Sequence, residues 1–405
     1  MNSLSVSIAG RKVGQLLDIK PGKVGFQYAL SWLESGFSLS PHHLKFNSEI
    51  QFPDISDARL FNGLFGVFSD SLPDGWGLLL MDRFFSKRGI SRDRITAIDR
   101  LGYMGSRSMG ALEYQPETDS SAIGAVNFAA LANAVHEVLN GESTEILDQL
   151  RIDGGSPGGA RPKVVVAFTE DMLRCYSGVG DAPSGYEHWL VKFRSKEDDV
   201  NLGAIEKSIA DIAKLANIRM PVTQLINVGM ERYFAVKRFD REGNRKIHMH
   251  TMAGFIHANF REPCLDYEDI LGVVGFLTRN IREVEQMYKV AVFNVLTGNK
   301  DDHAKNFSLL FAESWKLAPA YDLTYSNGIS GEHMTSMMGN GTPTKKEMIS
   351  LARAYEIESF DEIIQNTRHA ISEWANIATA HGIPLPVIKE YSKRFNLIDK
   401  STLGK

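Results

Sequence analysis

The chain has 405 residues, 43% of them hydrophobic and 23% charged, enough to bury a large core and to divide into two or three domains. A net charge of -4 and a pI near 6.3 give no general basic footprint, which argues against unaided tight binding to nucleic acid. Cys175 and Cys264 are the only cysteines, and with neither a CxxC pair nor a zinc spacing they argue against a disulfide framework and for a reducing compartment, the cytoplasm. Met1 to Leu16 lacks a basic segment followed by an apolar one, and no stretch approaches the roughly 18 apolar residues of a membrane span. The expectation is a chain neither exported nor membrane-bound.

From Val6 to about Tyr114, short β-like runs such as Val24 to Leu30 precede the motif Ser69-Asp-Ser-Leu-Pro-Asp-Gly-Trp-Gly77 and the apolar stretch Leu78 to Phe85, predicting a small β-rich unit that leads into helices. Asn127 to Leu139 reads as an amphipathic helix, and Asp148 to Ile152 as a polar bridge and first boundary. Three short runs then predict strands: Val164 to Phe168, Cys175 to Val179 and His188 to Phe193. Ile205, Ile209, Ile212 and Leu215 recur at helical spacing behind Asn201, a candidate N-cap. A hairpin follows, Thr223 to Val228 and Arg232 to Phe239 around Gly229. Beyond it the chain turns helical, with Met287 to Leu296 apolar on nearly every side and therefore buried. Past about Thr344 the pattern is helical and carries no chemistry.

Four features carry chemistry. The loop Gly154-Gly-Ser-Pro-Gly-Gly-Ala-Arg-Pro-Lys163 lets backbone N–H groups approach phosphate oxygens, with a lysine at the start of the next strand as a point charge. It is neither a Walker A sequence nor a regular G-x-G-x-x-G, and alone it reads as a surface turn. Lys192 sits inside the apolar run Trp189 to Phe193; alone it is an outward-facing strand residue, but its place some thirty residues after a glycine loop follows the order in which kinases assemble an ATP site. Asp301 and Asn306 stand five apart in Gly298-Asn-Lys-Asp-Asp-His-Ala-Lys-Asn306, the D-x-x-x-x-N spacing of a kinase catalytic loop, against the plain reading of a solvated turn. A predicted hairpin, Phe307 to Phe311 and Trp315 to Ala318, then delivers Asp322, which with Asn306 offers hard oxygen ligands to Mg²⁺. Glu206 is a candidate partner for Lys192, or else a solvated helix residue. His248, His250, His257 and His303 could suggest a metal cluster, but only the first pair is close in sequence.

H-R-D, D-F-G and A-P-E are all missing. The glycine loop, Val-Lys-Arg-Phe-Asp-Arg at 236–241, Asp-Asp-His-Ala-Lys-Asn-Phe-Ser at 301–308 and Pro-Ala-Tyr-Asp-Leu at 319–323 together resemble the HipA family of serine/threonine kinase toxins. Phe61-Asn-Gly-Leu-Phe-Gly and Ser71-Leu-Pro-Asp-Gly-Trp-Gly77 are similar to the small domain before its kinase core, so that the resemblance spans most of the chain. It implies an α+β fold: a divergent protein-kinase-like two-lobed core with a small β-rich N-terminal subdomain, divided as 1–115, 116–240 and 241–405.

The resemblance also implies roles. Asp301 would be the catalytic base, Asn306 and Asp322 the magnesium ligands, and Lys192 a contact to ATP phosphates. His303 and Lys305, with Ala304 between them, would position phosphate groups. Gly158, Gly159, Ala160, Arg161, Pro162 and Lys163 would cover the nucleotide, backbone groups of Lys237, Arg238 and Phe239 would meet the adenine, and Tyr321 would join Asp322 at the site. Ser156 stands where the family phosphorylates itself, and the added charge would evict the loop from a site meant for ATP phosphates; Pro157 and Pro162 stiffen that loop. Asp302 is a second candidate base, although the spacing to Asn306 favours Asp301.

The expected activity is ATP- and Mg²⁺-dependent phosphorylation of a protein serine or threonine by the toxin of a toxin-antitoxin pair. Implied partners are a HipB-like antitoxin with a DNA-binding fold, DNA only through that complex, and a translation component such as an aminoacyl-tRNA synthetase. Three other readings stay open: a nucleotide-binding regulator without catalysis, a small-molecule kinase, and a metal-dependent hydrolase built on Asp301, Asp302 and His303, which leaves the glycine loop and Lys192 unexplained.

Overall fold

A computed structural model describes residues 3–20, 22–54, 60–119, 124–140, 148–155, 159, 161–328 and 331–404. The chain forms two compact units, one of Met1–Asp198, Ala235–His250 and Gly254–His257, the other of Asp199–Phe234, Thr251–Ala253 and Ala258–Lys405. Among the described residues no helix is long and apolar enough to cross a membrane.

The first unit opens with β1 (Ser3–Ile8), β2 (Arg11–Lys20) and β3 (Lys23–Tyr28), joined by β4 (Glu113–Gln115) in an antiparallel sheet ordered β3-β2-β1-β4. Alternating residues such as Leu4 and Val6 turn inward and pack with Phe26, Phe68 and Tyr114, since side chains on a strand alternate between faces. This is the β-rich start read from the sequence, and the helix Gly75–Lys87 follows it over the stretch expected to be apolar. The bridge at 148–152 differs from expectation. It belongs to a helix, Asp148–Gly154, in which Leu150 and Ile152 are buried, so those two apolar residues outweigh the polar ones around them.

The same unit holds β5 (Ala125–Val126), β6 (Lys163–Thr169), β7 (Cys175–Ser177) and β8 (Tyr186–Lys192), ordered β5-β7-β6-β8. Every residue of β6 is buried, which explains its unbroken apolar run: a central strand covered on both faces has no alternation to show. Beyond β8 lies Asp240, fully buried, with Arg238 Nη2 at 2.7 Å and Arg241 Nη1 at 2.8 Å. Burial alone would raise its carboxyl pKa, but the two guanidinium groups and the Gly110 N–H hold it well below the usual range.

His248 is buried too, its Nε2 3.1 Å from the Leu39 carbonyl, and burial drops its pKa to about 4, with the nearby His250 adding to the effect. A histidine depressed on folding favours the native state above its unfolded value near 6.5 and loses that contribution as pH falls toward 4. The urea midpoint should therefore decline between pH 6.5 and 4, and less steeply in His248→Gln.

In the second unit β9 (Thr223–Val228) pairs with the early residues of β10 (Glu231–Lys237) around Gly229. The expected helix runs Leu202–Leu215 with Asn201 at its N-cap position, yet the Asn201 side chain makes no cap hydrogen bond, because its Oδ1 accepts from Arg232 at 2.6 Å. Leu215, expected on the apolar face, is exposed at the last turn. The rest is mostly helical, with Tyr267–Thr278, Ile281–Thr297 and, past a Thr344–Glu347 capping box, four helices from Lys345 to Leu403.

Candidate active site

In the second unit the site grows from the helix Ile281–Thr297, whose residues from Val290 to Thr297 are all buried. It stops at Gly298, which takes φ +67° as a C-terminal cap and where a Cβ would meet the Ile398 Cδ1 methyl at 2.6 Å, so the position favours glycine. The chain then turns through Asn299 to His303, makes a single 3-10 turn at Ala304–Asn306 and enters the strand Ser308–Phe311. This strand pairs antiparallel with Trp315–Leu317, and the return leads to Tyr321 and Asp322. The hairpin thus carries the Asp322 segment back to the loop, and Tyr321 pins it there, its hydroxyl 2.6 Å from both the Lys305 carbonyl and Ser308 Oγ.

The two neighbouring carboxylates have opposite surroundings. Asp301 is exposed. Asp302 is fully buried, with Oδ2 accepting from the Tyr267 hydroxyl at 2.6 Å and His333 Nδ1 at 2.8 Å, and Oδ1 accepting from the backbone N–H groups of Met334 at 2.9 Å and Thr335 at 3.2 Å. The Thr335 hydroxyl donates to the Asp302 carbonyl as well. Asp302 therefore anchors the loop. Burial, and the Asp302 charge next, raise the Tyr267 pKa well above its ordinary value, which keeps the phenol protonated as a donor.

Asn306 donates from Nδ2 to the Asp301 carbonyl at 2.8 Å, leaving Oδ1 as the oxygen it can present to a cation. Asp322 adopts φ +53°, a left-handed backbone in which aspartate is among the tolerated residues. One carboxylate and one amide oxygen are too few for a free-standing metal site, and among the described residues no group of three His, Cys, Asp or Glu could hold an ion. That sparse hard-oxygen set fits Mg²⁺, which keeps its waters and completes its shell with substrate phosphates. His303 and Lys305 both pack on Phe260, the ring of His303 at 5.8 Å and Lys305 Nζ at 4.2 Å from its centroid, a contact the sequence reading missed because it spans some forty residues. Ala304, between them, is buried.

In the first unit Lys163 and Lys192 are direct partners across β6 and β8, which puts both side chains on one face. Like charges so placed repel unless negative charge meets them. Gly159 has φ +98°, and a Cβ there would lie 2.5 Å from Lys163 Nζ, so the glycine leaves room for the ammonium. Its carbonyl accepts from Trp76 N–H at 3.4 Å, which joins the Leu-Pro-Asp-Gly-Trp-Gly motif to the loop. A Cβ on Gly77 would likewise meet the Gly155 carbonyl at 2.9 Å. The motif was legible in the sequence, but its place under the loop was not.

Arg161 is held bidentately by Asp198 at 2.9 and 3.1 Å, and the buried Pro162 accepts on its carbonyl from Phe193 N–H at 2.9 Å. Lys237 pairs with Glu187, while Arg238 gives its side chain to Asp240 and its N–H to the His188 carbonyl, so of the Lys237–Phe239 backbone that N–H is already engaged. Ser156, Pro157, Gly158 and Ala160 lie outside the described residues. Glu206 is buried on its helix in the second unit. The histidines disperse: His250 bonds Asp70 and Ser40, His248 the Leu39 carbonyl, and His257 the Gly66 N–H.

Comparison with known proteins gives two family models, the HipA N-terminal domain over residues 4–115 and the HipA-like C-terminal domain over residues 155–375. A putative kinase of Sinorhizobium fredii is 26% identical over 49% of this chain and 53% of its own length, so the chain spans about half of that relative. The serine/threonine-protein kinase toxin HipA of Shewanella oneidensis is 23% identical over 79% of this chain and 74% of that protein. Among solved structures, a chain of the HipA, HipB and operator DNA complex of the Shewanella oneidensis toxin-antitoxin system superposes with a TM-score of 0.72 at 16% identity, covering 98% of this chain and 97% of that one. The shared fold is α+β and kinase-like, and since one family model alone spans more than half of the residues, the chain belongs to the HipA family.

Proposed function

We propose that this protein is a kinase that transfers the γ-phosphoryl group of ATP to a protein serine or threonine, and that it acts as the toxin of a toxin-antitoxin pair. The observation that carries the reading is the contrast between the adjacent carboxylates: Asp302 is consumed as a buried anchor, while Asp301, five residues before Asn306, faces solvent. In the proposed reaction the substrate hydroxyl oxygen bonds to the γ-phosphorus as the bond to the ADP oxygen breaks, and the hydroxyl proton passes to Asp301. Lys163 and Lys192 hold phosphate charge, His303 and Lys305 orient the transferring end, and the residues from Gly158 to Pro162 cover the nucleotide. Lys237 to Phe239 border the adenine, where the Arg238 N–H is unavailable and the neighbouring backbone must serve. Asn306 and Asp322 would hold Mg²⁺, which would supply neutralisation of phosphate charge during transfer. Segments 1–115, 116–240 and 241–405 serve as accessory, nucleotide-binding and catalytic regions.

By kinship with a family whose solved member sits with HipB and operator DNA, the partner proposed is a HipB-like antitoxin that supplies the DNA contact. The substrate class is a cytoplasmic translation component, for instance an aminoacyl-tRNA synthetase. Intact mass with site mapping, before and after incubation with Mg²⁺ and ATP, tests the core of this reading. Phosphate on Ser156 of the wild type and none on Asp301→Asn is the expected result. ATP binding with no phosphate on either protein, and none on any added acceptor, would replace the kinase with a nucleotide-binding regulator.

A further inference from the structure

A chain of buried polar side chains runs from the loop anchor to the Asp322 segment. The Tyr267 hydroxyl donates to Asp302 Oδ2 at 2.6 Å and accepts from Asn294 Nδ2 at 2.9 Å; Asn294 Oδ1 in turn accepts from Asn299 Nδ2 at 2.9 Å. The same Asn299 Nδ2 also donates to the Asp322 carbonyl, 3.3 Å away. Tyr267, Asn294, Asn299 and Asp302 are each at most 2% exposed.

The direction of every bond follows from its neighbour. A carboxylate only accepts, so the phenol proton goes to Asp302 and the phenol oxygen is left to accept; Asn294 must then turn its nitrogen to Tyr267 and its oxygen to Asn299. Asn299 spends its nitrogen on both sides, and its Oδ1 is buried without a hydrogen-bond partner. The orientation of the amide is set by what its nitrogen reaches on either side, Asn294 Oδ1 and the Asp322 carbonyl. At the far end Asp322 is held at φ +53°, a conformation that persists where the surroundings impose it.

We propose that Asn299, through Asn294, Tyr267 and Asp302, is a positioning residue that locks the backbone of Asp322 to the loop carrying Asp301. The role in phosphoryl transfer rests on the kinase reading, but the mechanical coupling does not. Neither Asn299 nor Tyr267 is placed against substrate; each acts by holding another residue in place.

The test uses the full chain in three variants: Asn299→Ala, Tyr267→Phe, and as a control Tyr288→Phe, another buried tyrosine whose hydroxyl donates to the Met348 carbonyl outside the network. Amide hydrogen exchange reads the coupling without any activity. Tyr267→Phe, which keeps the ring and alters the Asp302 end, should speed exchange at residues 323–326 as well as 301–306, and Asn299→Ala should do the same from the other end; the control should do neither. In phosphate transfer both variants should lower kcat by roughly ten- to a hundredfold, with KM for ATP changed less than about threefold, since misplacement costs rate more than binding. Exchange confined to each mutated end overturns the network, as does a loss of thermal stability with kcat intact. A wild type that transfers no phosphate while the exchange remains coupled overturns the kinase reading instead.

Discussion

Asp301→Asn is expected to lower phosphate transfer from ATP by roughly 10²–10⁴-fold, the range a positioned proton acceptor contributes, while ATP affinity and melting temperature stay near wild type. The second half of that expectation comes from the local structure. Asp301 is exposed, and Asn306 binds its main-chain carbonyl, which the substitution leaves in place. The isosteric amide removes the acceptor charge without opening a cavity. Single-turnover phosphate transfer, read beside an ATP titration, checks both halves. An unchanged rate would remove Asp301 from the chemistry.

Asp302→Ala should produce the opposite phenotype, a loss of about 3–5 kcal/mol of folding stability in chemical denaturation. Removing the carboxylate strands the Tyr267 hydroxyl, the His333 Nδ1–H and the N–H groups of Met334 and Thr335 in the buried interior. Each stranded donor then bears its desolvation cost uncompensated, although the sum is limited by how far the loop relaxes. Asp302→Asn should fall between, because an amide oxygen still accepts from Met334 and Thr335 while its nitrogen faces Tyr267 and His333, which donate. Activity would decline with either variant, as a consequence of a loosened loop. A fully stable Asp302→Ala protein would contradict the anchor assignment.

Much of this region could be read before folding was considered. The helix ahead of the loop announced itself by an apolar pattern with no polar face, the strands by β-branched runs between turn residues, and the loop by aspartate and asparagine five apart. These are local signals, since backbone geometry sets the period of burial along a few turns or strand residues. The errors were local signals overruled by distant partners. Asn201 stands where a cap belongs but gives its oxygen to Arg232, and the polar run at 148–152 becomes helical around Leu150 and Ile152.

By itself, then, the sequence determined the element types, the order of glycine loop, strand lysine, Asp–Asn loop and later aspartate, and a resemblance that the family models match. What separates Asp301 from Asp302 was decided only in three dimensions. Spacing gives the two residues nearly equal standing, whereas Tyr267, His333, Met334 and Thr335, each some thirty positions away, converge on one carboxylate while its neighbour is exposed. The opposition of Lys163 and Lys192, the seat of Trp76 beneath the glycine loop and the buried chain from Asp302 to Asp322 have the same origin. A periodic pattern reports whether a side chain points inward, but the partner it meets there depends on chain segments whose separation in sequence carries no signal of their contact.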